Sequence, residues 1–247
     1  VNRAVIAAVN NGSSSSLNCA EEVDLAQMLC DIHPWAKKVR FTRCGGEAMA
    51  VAVRIARAYT KKDKVAICGY HGWHDWYLAA NLGTANALGE HLLPGLSPVG
   101  VPKGLQGTAL PFGYNKIDEL KQILIKNRGQ VAAVVMEPIR NIAPLPGFLA
   151  AVKKLAAAHG AVFIFDEVSS GFRCYTSGMH MHYKVTPDMA VFSKAMGNGF
   201  PIAAIIGKGN VMEAAEESFI SSTMWTERVG FVAALATIKK HRQKNVG

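Results

Sequence analysis

Ala161-Val162-Phe163-Ile164-Phe165-Asp166-Glu167-Val168 is the stretch on which the fold turns. Its first five residues are all apolar, the pattern of a strand buried on both faces, and they carry an acid to the strand's end. Val131-Ala132-Ala133-Val134-Val135-Met136 repeats the pattern and runs into Glu137-Pro138. Shorter strands are expected at 39–42, 65–68, 189–192 and 203–206. Helical spacing fills the intervals: 21–30; the run after Gly45-Gly46 with Ala48, Val51, Ala52 and Ile55 on one face; Ile117, Leu120 and Leu124; 148–159, stopped by Gly160; and 229–240. Strands alternating with helices predict an α/β fold of three layers, α-β-α, around a mostly parallel sheet. The segment 83–113, rich in Gly and Pro, is expected to be a long functional loop. In such sheets ligands sit at the C-terminal ends of the strands, so the polar residues just after the apolar runs matter most.

Composition narrows the classes. The chain has 247 residues, half of them apolar and 18% charged, which predicts a sizeable core and excludes a disordered chain. No uncharged apolar run reaches the roughly 18 residues of a membrane span, so no membrane partner is expected. The cysteines (Cys19, Cys30, Cys44, Cys68, Cys174) form no C-x-x-C pair. That argues against a disulfide framework and a thiolate zinc site, and for a reducing, cytoplasmic compartment. Lys plus Arg is 27 and Asp plus Glu is 18, a net charge of +9. The densest basic groups, 61–64 and 239–242, interleave no aromatics, so they read as solvated faces and no nucleic acid partner is expected. The sequence opens on Val1 and stops at Gly247, just past a helical pattern. It is read as a piece of a longer protein, with residues 1–34 an N-terminal helical segment and 35–247 the large domain.

Chemistry-bearing residues cluster at the predicted strand ends. Gly45-Gly46 opens a helix, where backbone N–H groups and the helix dipole favour an anion. Tyr70 and His71 follow the second strand. Asp166 ends the most apolar one, and an isolated charge at that depth costs several kcal/mol, so a cation, a metal or a protonated ring is expected beside it. Lys194 directly follows Phe192-Ser193 and precedes Gly197-Asn198-Gly199. That setting predicts a desolvated amine able to form a Schiff base with an aldehyde. One ligand satisfies all four sites: pyridoxal 5'-phosphate has an anionic phosphate, a ring to stack on Tyr70, a ring nitrogen for Asp166 and an aldehyde for Lys194. A rival metal-dependent hydrolase would use His71, His74 and Asp75 with His180 and His182, the last two sharing a face if they lie in a strand. No third ligand stands at fixed spacing, and no metal is expected.

These motifs also resemble a known family. Phe165-Asp166-Glu167-Val168-Ser169-Ser170-Gly171-Phe172-Arg173 and Ser193-Lys194-Ala195-Met196-Gly197-Asn198-Gly199-Phe200-Pro201 are similar to class III aminotransferases of the fold type I pyridoxal-phosphate enzymes, nearest the glutamate-1-semialdehyde aminomutase branch. The resemblance implies that Lys194 is the catalytic lysine and proton shuttle and that Asp166 pairs with the pyridine nitrogen. It implies that Tyr70 and Val168 cover the two ring faces with His71 beside them, and that the backbone of Gly45 and Gly46 binds the phosphate. It also implies that Thr223 completes the phosphate site of a partner subunit, hence a homodimer with a shared site. The expected activity is transfer of an amino group between an amino donor and an oxo or aldehyde acceptor, both small molecules. The alternatives are the 2,1-aminomutase reaction and a truncated cofactor-binding core without turnover. Some positions depart from the family. Cys44-Gly45-Gly46 replaces Ser-Gly-Thr and lacks a phosphate-binding hydroxyl, the loop 139–146 is short, and Trp225-Thr226-Glu227-Arg228 follows where Gly-Asn-Pro is common. The family's further N-terminal segment and C-terminal small domain are expected to be absent.

Overall fold

The computed structural model describes residues 1–14, 17–84, 86–89, 91 and 95–246. Among them a seven-stranded sheet runs in the order β1-β7-β6-β5-β4-β2-β3. The strands are β1 (Lys38–Thr42), β2 (Lys64–Cys68), β3 (Ala109–Pro111), β4 (Val131–Met136), β5 (Val162–Asp166), β6 (Met189–Phe192) and β7 (Ala203–Gly207). Pairs β2–β3, β2–β4, β4–β5 and β5–β6 are parallel, while β7 is antiparallel to both β6 and β1. One reversed strand in an otherwise co-directional sheet leaves the ends of β1, β2, β4, β5 and β6 on the same margin. Every predicted strand is present.

Both faces are covered, as the apolar runs require. In β5, Phe163 and Phe165 enter one core while Val162 and Ile164 enter the other, the period-2 alternation of a strand with no solvent side. Helices α2 (Ala20–Ile32), α5 (Ile117–Lys126), α6 (Phe148–Ala158) and α9 (Arg228–Lys244) pack on the first face. Helix α3 (Gly45–Thr60) and the short α4 (Asp75–Leu78) and α8 (Gly209–Met212) pack on the second. Full burial of Phe163, Ile164 and Phe165 contributes about 1.5–3 kcal/mol per side chain, so register slips in β5 are strongly disfavoured.

One expectation is corrected and two elements are located. The segment 83–113 is not loop throughout: its end forms β3, an edge strand on β2, where Pro111 lacks a donor without breaking an interior ladder. Helix α1 (Asn2–Asn10) lies ahead of α2 in the segment 1–34, where periodicity had marked only 21–30, and packs on α9. His180 and His182 lie in the short helix α7 (Met179–His182), not in a strand, so they do not share a face as the metal reading required.

Candidate functional site

The common margin of the sheet brings the predicted residues together. Gly45, Gly46, Tyr70, His71, Asp166, Val168 and Lys194 all line one cleft of about 200 Å³. Thr223 does not; it is exposed at the start of a 3-10 turn, Thr223–Thr226.

Asp166 is 4% exposed and doubly held. Its Oδ1 accepts the Val168 N–H at 2.9 Å, and its Oδ2 lies 2.8 Å from His71 Nδ1. The cationic or donor partner expected of a buried acid is therefore His71, whose side chain is fully buried. Trp76 stacks on that ring with centroids 6.3 Å apart and Tyr77 meets it edge-on at 5.6 Å. His71 Nε2 is buried with no hydrogen-bond partner among the described residues. Among the described residues no three His, Cys, Asp or Glu side chains are grouped as metal ligands would be.

Tyr70 is positioned through Glu137. Gly69 adopts φ +124°, and a Cβ there would lie 2.5 Å from Glu137 Oε2. This close approach lets Oε2 accept the Tyr70 N–H at 3.2 Å while Arg140 Nε stands 3.0 Å away. Burial, with Asp166 adding to it, pushes the Glu137 carboxyl above its ordinary range against the pull of His71 and Arg140.

Gly45 and Gly46 begin α3, where the first amides have no intrahelical acceptor. A Cβ on Gly45 would clash with Val168 Cγ1 at 2.7 Å, and one on Gly46 would press on the His74 ring at 3.1 Å. Gly46 Cα in turn lies 3.0 Å from the Cβ position of Gly72 (φ +97°), so two backbone segments touch at the cleft wall.

Lys194 departs from expectation. It is exposed rather than desolvated, because β6 ends at Phe192 and the chain turns outward through a 3-10 turn, Lys194–Gly197. Its φ of +44° lies in the left-handed region, which costs a non-glycine residue about 1–3 kcal/mol. Ser193 Oγ donates to Ile202 O at 2.9 Å, pinning the start of the turn to its end. Lys194 Nζ donates to Ser169 Oγ at 2.7 Å. Ser169 had been given no role, although its place three residues beyond Asp166 puts it on the same margin.

Behind Asp166, Glu167 anchors the loop that carries Val168 and Ser169. It is wholly buried and accepts from Ser170 Oγ, Met179 N, His180 N and His180 Nδ1. Burial alone would raise its carboxyl, but the His180 and Ser170 hydrogen bonds hold it low. Trp35 Nε1 donates to His180 Nε2 at 3.1 Å, and His33 stacks on the same ring at 5.4 Å. His180, a ligand candidate in the metal reading, is thus a support for the loop.

The donor set fits pyridoxal phosphate. A buried carboxylate, a flanking aromatic and valine, free helix amides over side-chain-free positions and a primary amine converge on one cleft.

The family model for aminotransferase class-III matches residues 1–246. A 3-aminobutyryl-CoA aminotransferase of Cloacimonas acidaminovorans is 36% identical over 237 residues, covering 93% of this chain and 53% of the relative. A glutamate-1-semialdehyde 2,1-aminomutase of Pelodictyon phaeoclathratiforme is 37% identical over 240 residues, covering 93% and 54%. The chain thus spans about half the length of these curated relatives. An omega-transaminase from Sphaerobacter thermophilus superposes with a TM-score of 0.85 at 29% identity, over 97% of this chain and 57% of that one. The chain belongs to the class-III aminotransferase family.

Proposed function

We propose that this chain is the cofactor-binding core of a pyridoxal-phosphate-dependent aminotransferase that moves an amino group between a small-molecule donor and an oxo or aldehyde acceptor. The observation that carries the reading is the convergence of Asp166 and Lys194 on one cleft. When bound, pyridoxal phosphate supplies an aldehyde carbon and a ring that draws electrons from the substrate's α-carbon. The chain supplies the rest. Asp166 Oδ2 is the counter-charge for a protonated ring nitrogen, and His71 fixes that oxygen's direction. Tyr70 and Val168 wall the cleft and exclude water. The Gly45 and Gly46 amides receive the phosphate. Lys194 Nζ, at the mouth of the cleft, would take the proton from the substrate α-carbon and pass it to the carbon that began as the cofactor's aldehyde, the shift that moves the amino group.

Residues 1–34 serve as an N-terminal segment on the large domain, 35–247. Thr223, outside its own cleft, suits the role of completing the site of a second copy in a homodimer. The free cysteines support a cytoplasmic setting, and among the described residues no helix is long and apolar enough to cross a membrane. The aminomutase reaction is the second reading, favoured by the 37% identity to an aminomutase. It shares every residue role above and differs in whether the product of the first half-reaction stays bound.

Protein loaded with pyridoxal phosphate and freed of excess should hold a visible absorbance band that borohydride removes. Lys194→Ala should lack it; a variant spectrum equal to the unsubstituted one overturns the role of Lys194. A panel of amino donors with oxo acceptors then separates a working transaminase from a core that binds cofactor without turnover.

A further inference from the structure

The turn that opens the cleft is tied to a distant segment by a closed circuit of hydrogen bonds. Arg43 N–H donates to Glu47 Oε2 at 2.8 Å, and Cys44 N–H reaches the same oxygen at 3.4 Å. Glu47 Oε1 accepts the Trp225 indole N–H at 3.1 Å. The Trp225 carbonyl accepts from Arg43 Nη2 at 2.9 Å, which closes the circuit on the residue where it began. The guanidinium also donates to Met224 O at 2.6 Å and to Glu227 O, and its carbon sits 4.9 Å over the Phe231 ring. The Arg43 and Glu227 side chains are 13% and 19% exposed, so the anchorage is largely shielded from water.

This circuit encloses Cys44-Gly45-Gly46. Glu47 occupies the two amides that precede the glycines, and among the described residues no side chain accepts from the glycine amides. Trp225 and Arg43 fix where Glu47 and the turn stand. Since the Cys44-Gly45-Gly46 turn carries no hydroxyl side chain, its own contribution to phosphate binding is the direction of its backbone amides, and the circuit sets that direction.

We propose that Trp225 and Arg43 are positioning residues for phosphate recognition: they touch neither the ring nor the reacting atoms, and act through the Arg43-to-Glu47 turn. The proposal rests on the reading of Gly45-Gly46 as the phosphate site. It also gives Trp225 a different role from shaping a substrate pocket, since its indole is spent on Glu47.

The test compares pyridoxal phosphate with pyridoxal, which has the same ring and aldehyde but no phosphate, titrated by absorbance into protein freed of cofactor. Trp225→Phe keeps the aromatic bulk and loses the N–H; Arg43→Lys keeps the charge but cannot span several carbonyls. Each should weaken pyridoxal phosphate about tenfold while leaving pyridoxal unchanged. Calorimetric titration with inorganic phosphate should show the same selective loss. Equal weakening of both ligands, or no weakening of either, overturns the positioning role, and Arg43→Lys decides the matter if Trp225→Phe does not fold. If the unsubstituted protein binds both ligands equally well, the phosphate reading of Gly45-Gly46 fails, and the proposal with it.

Discussion

Gly45→Ala gives the sharpest account of how the site is packed. The added Cβ would stand 2.7 Å from Val168 Cγ1 and 3.1 Å from Cγ2, about 1 Å inside an ordinary carbon–carbon contact. Overpacking of this kind costs about 1–3 kcal/mol. Alanine also favours a helix over glycine by up to about 1 kcal/mol, and Gly45 is the first residue of α3. The balance is a destabilisation of about 1–2 kcal/mol. The sign should reverse once the obstacle is removed. In a Val168→Ala background only the helix preference remains, so Gly45→Ala becomes neutral or stabilising, with a coupling of about 2 kcal/mol between the two sites. Urea unfolding of the four proteins in the cycle measures this directly. Additive effects, or a Gly45→Ala protein as stable as the unsubstituted one, would show that α3 and the β5 loop do not meet as described.

Three further outcomes follow from the geometry. His71→Phe keeps a ring between Trp76 and Tyr77 but strips Asp166 of one of its two partners, so the protein should lose about 1.5–3 kcal/mol; an unchanged melting temperature refutes the pairing. Burial drives the His33 pKa from 6.5 down to about 4, with the His180 ring adding to the fall and two carbonyl acceptors opposing it. The folded ring stays neutral while the unfolded chain gains a proton, so stability should fall by roughly 3 kcal/mol as pH drops from about 6.5 to about 4 and be level above 7. Glu167, held low, extends that loss to more acid pH; His33→Gln should flatten the upper part of the slope, and a slope that persists in that variant removes His33 as its source.

Much of the site was legible because sequence order and space coincide at strand ends. An apolar run such as 161–165 has one plausible burial, and the acid behind it has one place to go, so Asp166 and Lys194 could be paired from residue type alone. Direction was not legible. Ala203-Ala204-Ile205-Ile206 looks the same read forward or backward, and only its register with β6 and β1 reveals the reversal. The role of His180 was not legible either, because a buried histidine supporting a carboxylate and a metal ligand have the same residue type. The circuit through Trp225 was invisible for a different reason: it joins positions 178 apart in the chain, and no local pattern marks them as neighbours. Lys194 was misjudged in exposure because burial of the preceding strand says nothing about the turn that follows it.

The reversal of β7 has a mechanical consequence for Lys194. A residue on a crossover loop is tethered to the sheet at one end and to a helix at the other, and it inherits the helix's small displacements. Lys194 is instead on a return between two adjacent strands, with Ser193 and Ile202 bridged at the base. The turn that carries Lys194 is therefore held at its base by two strands, and the reach of the amine beyond Ser169 is set by the length of its own methylene chain.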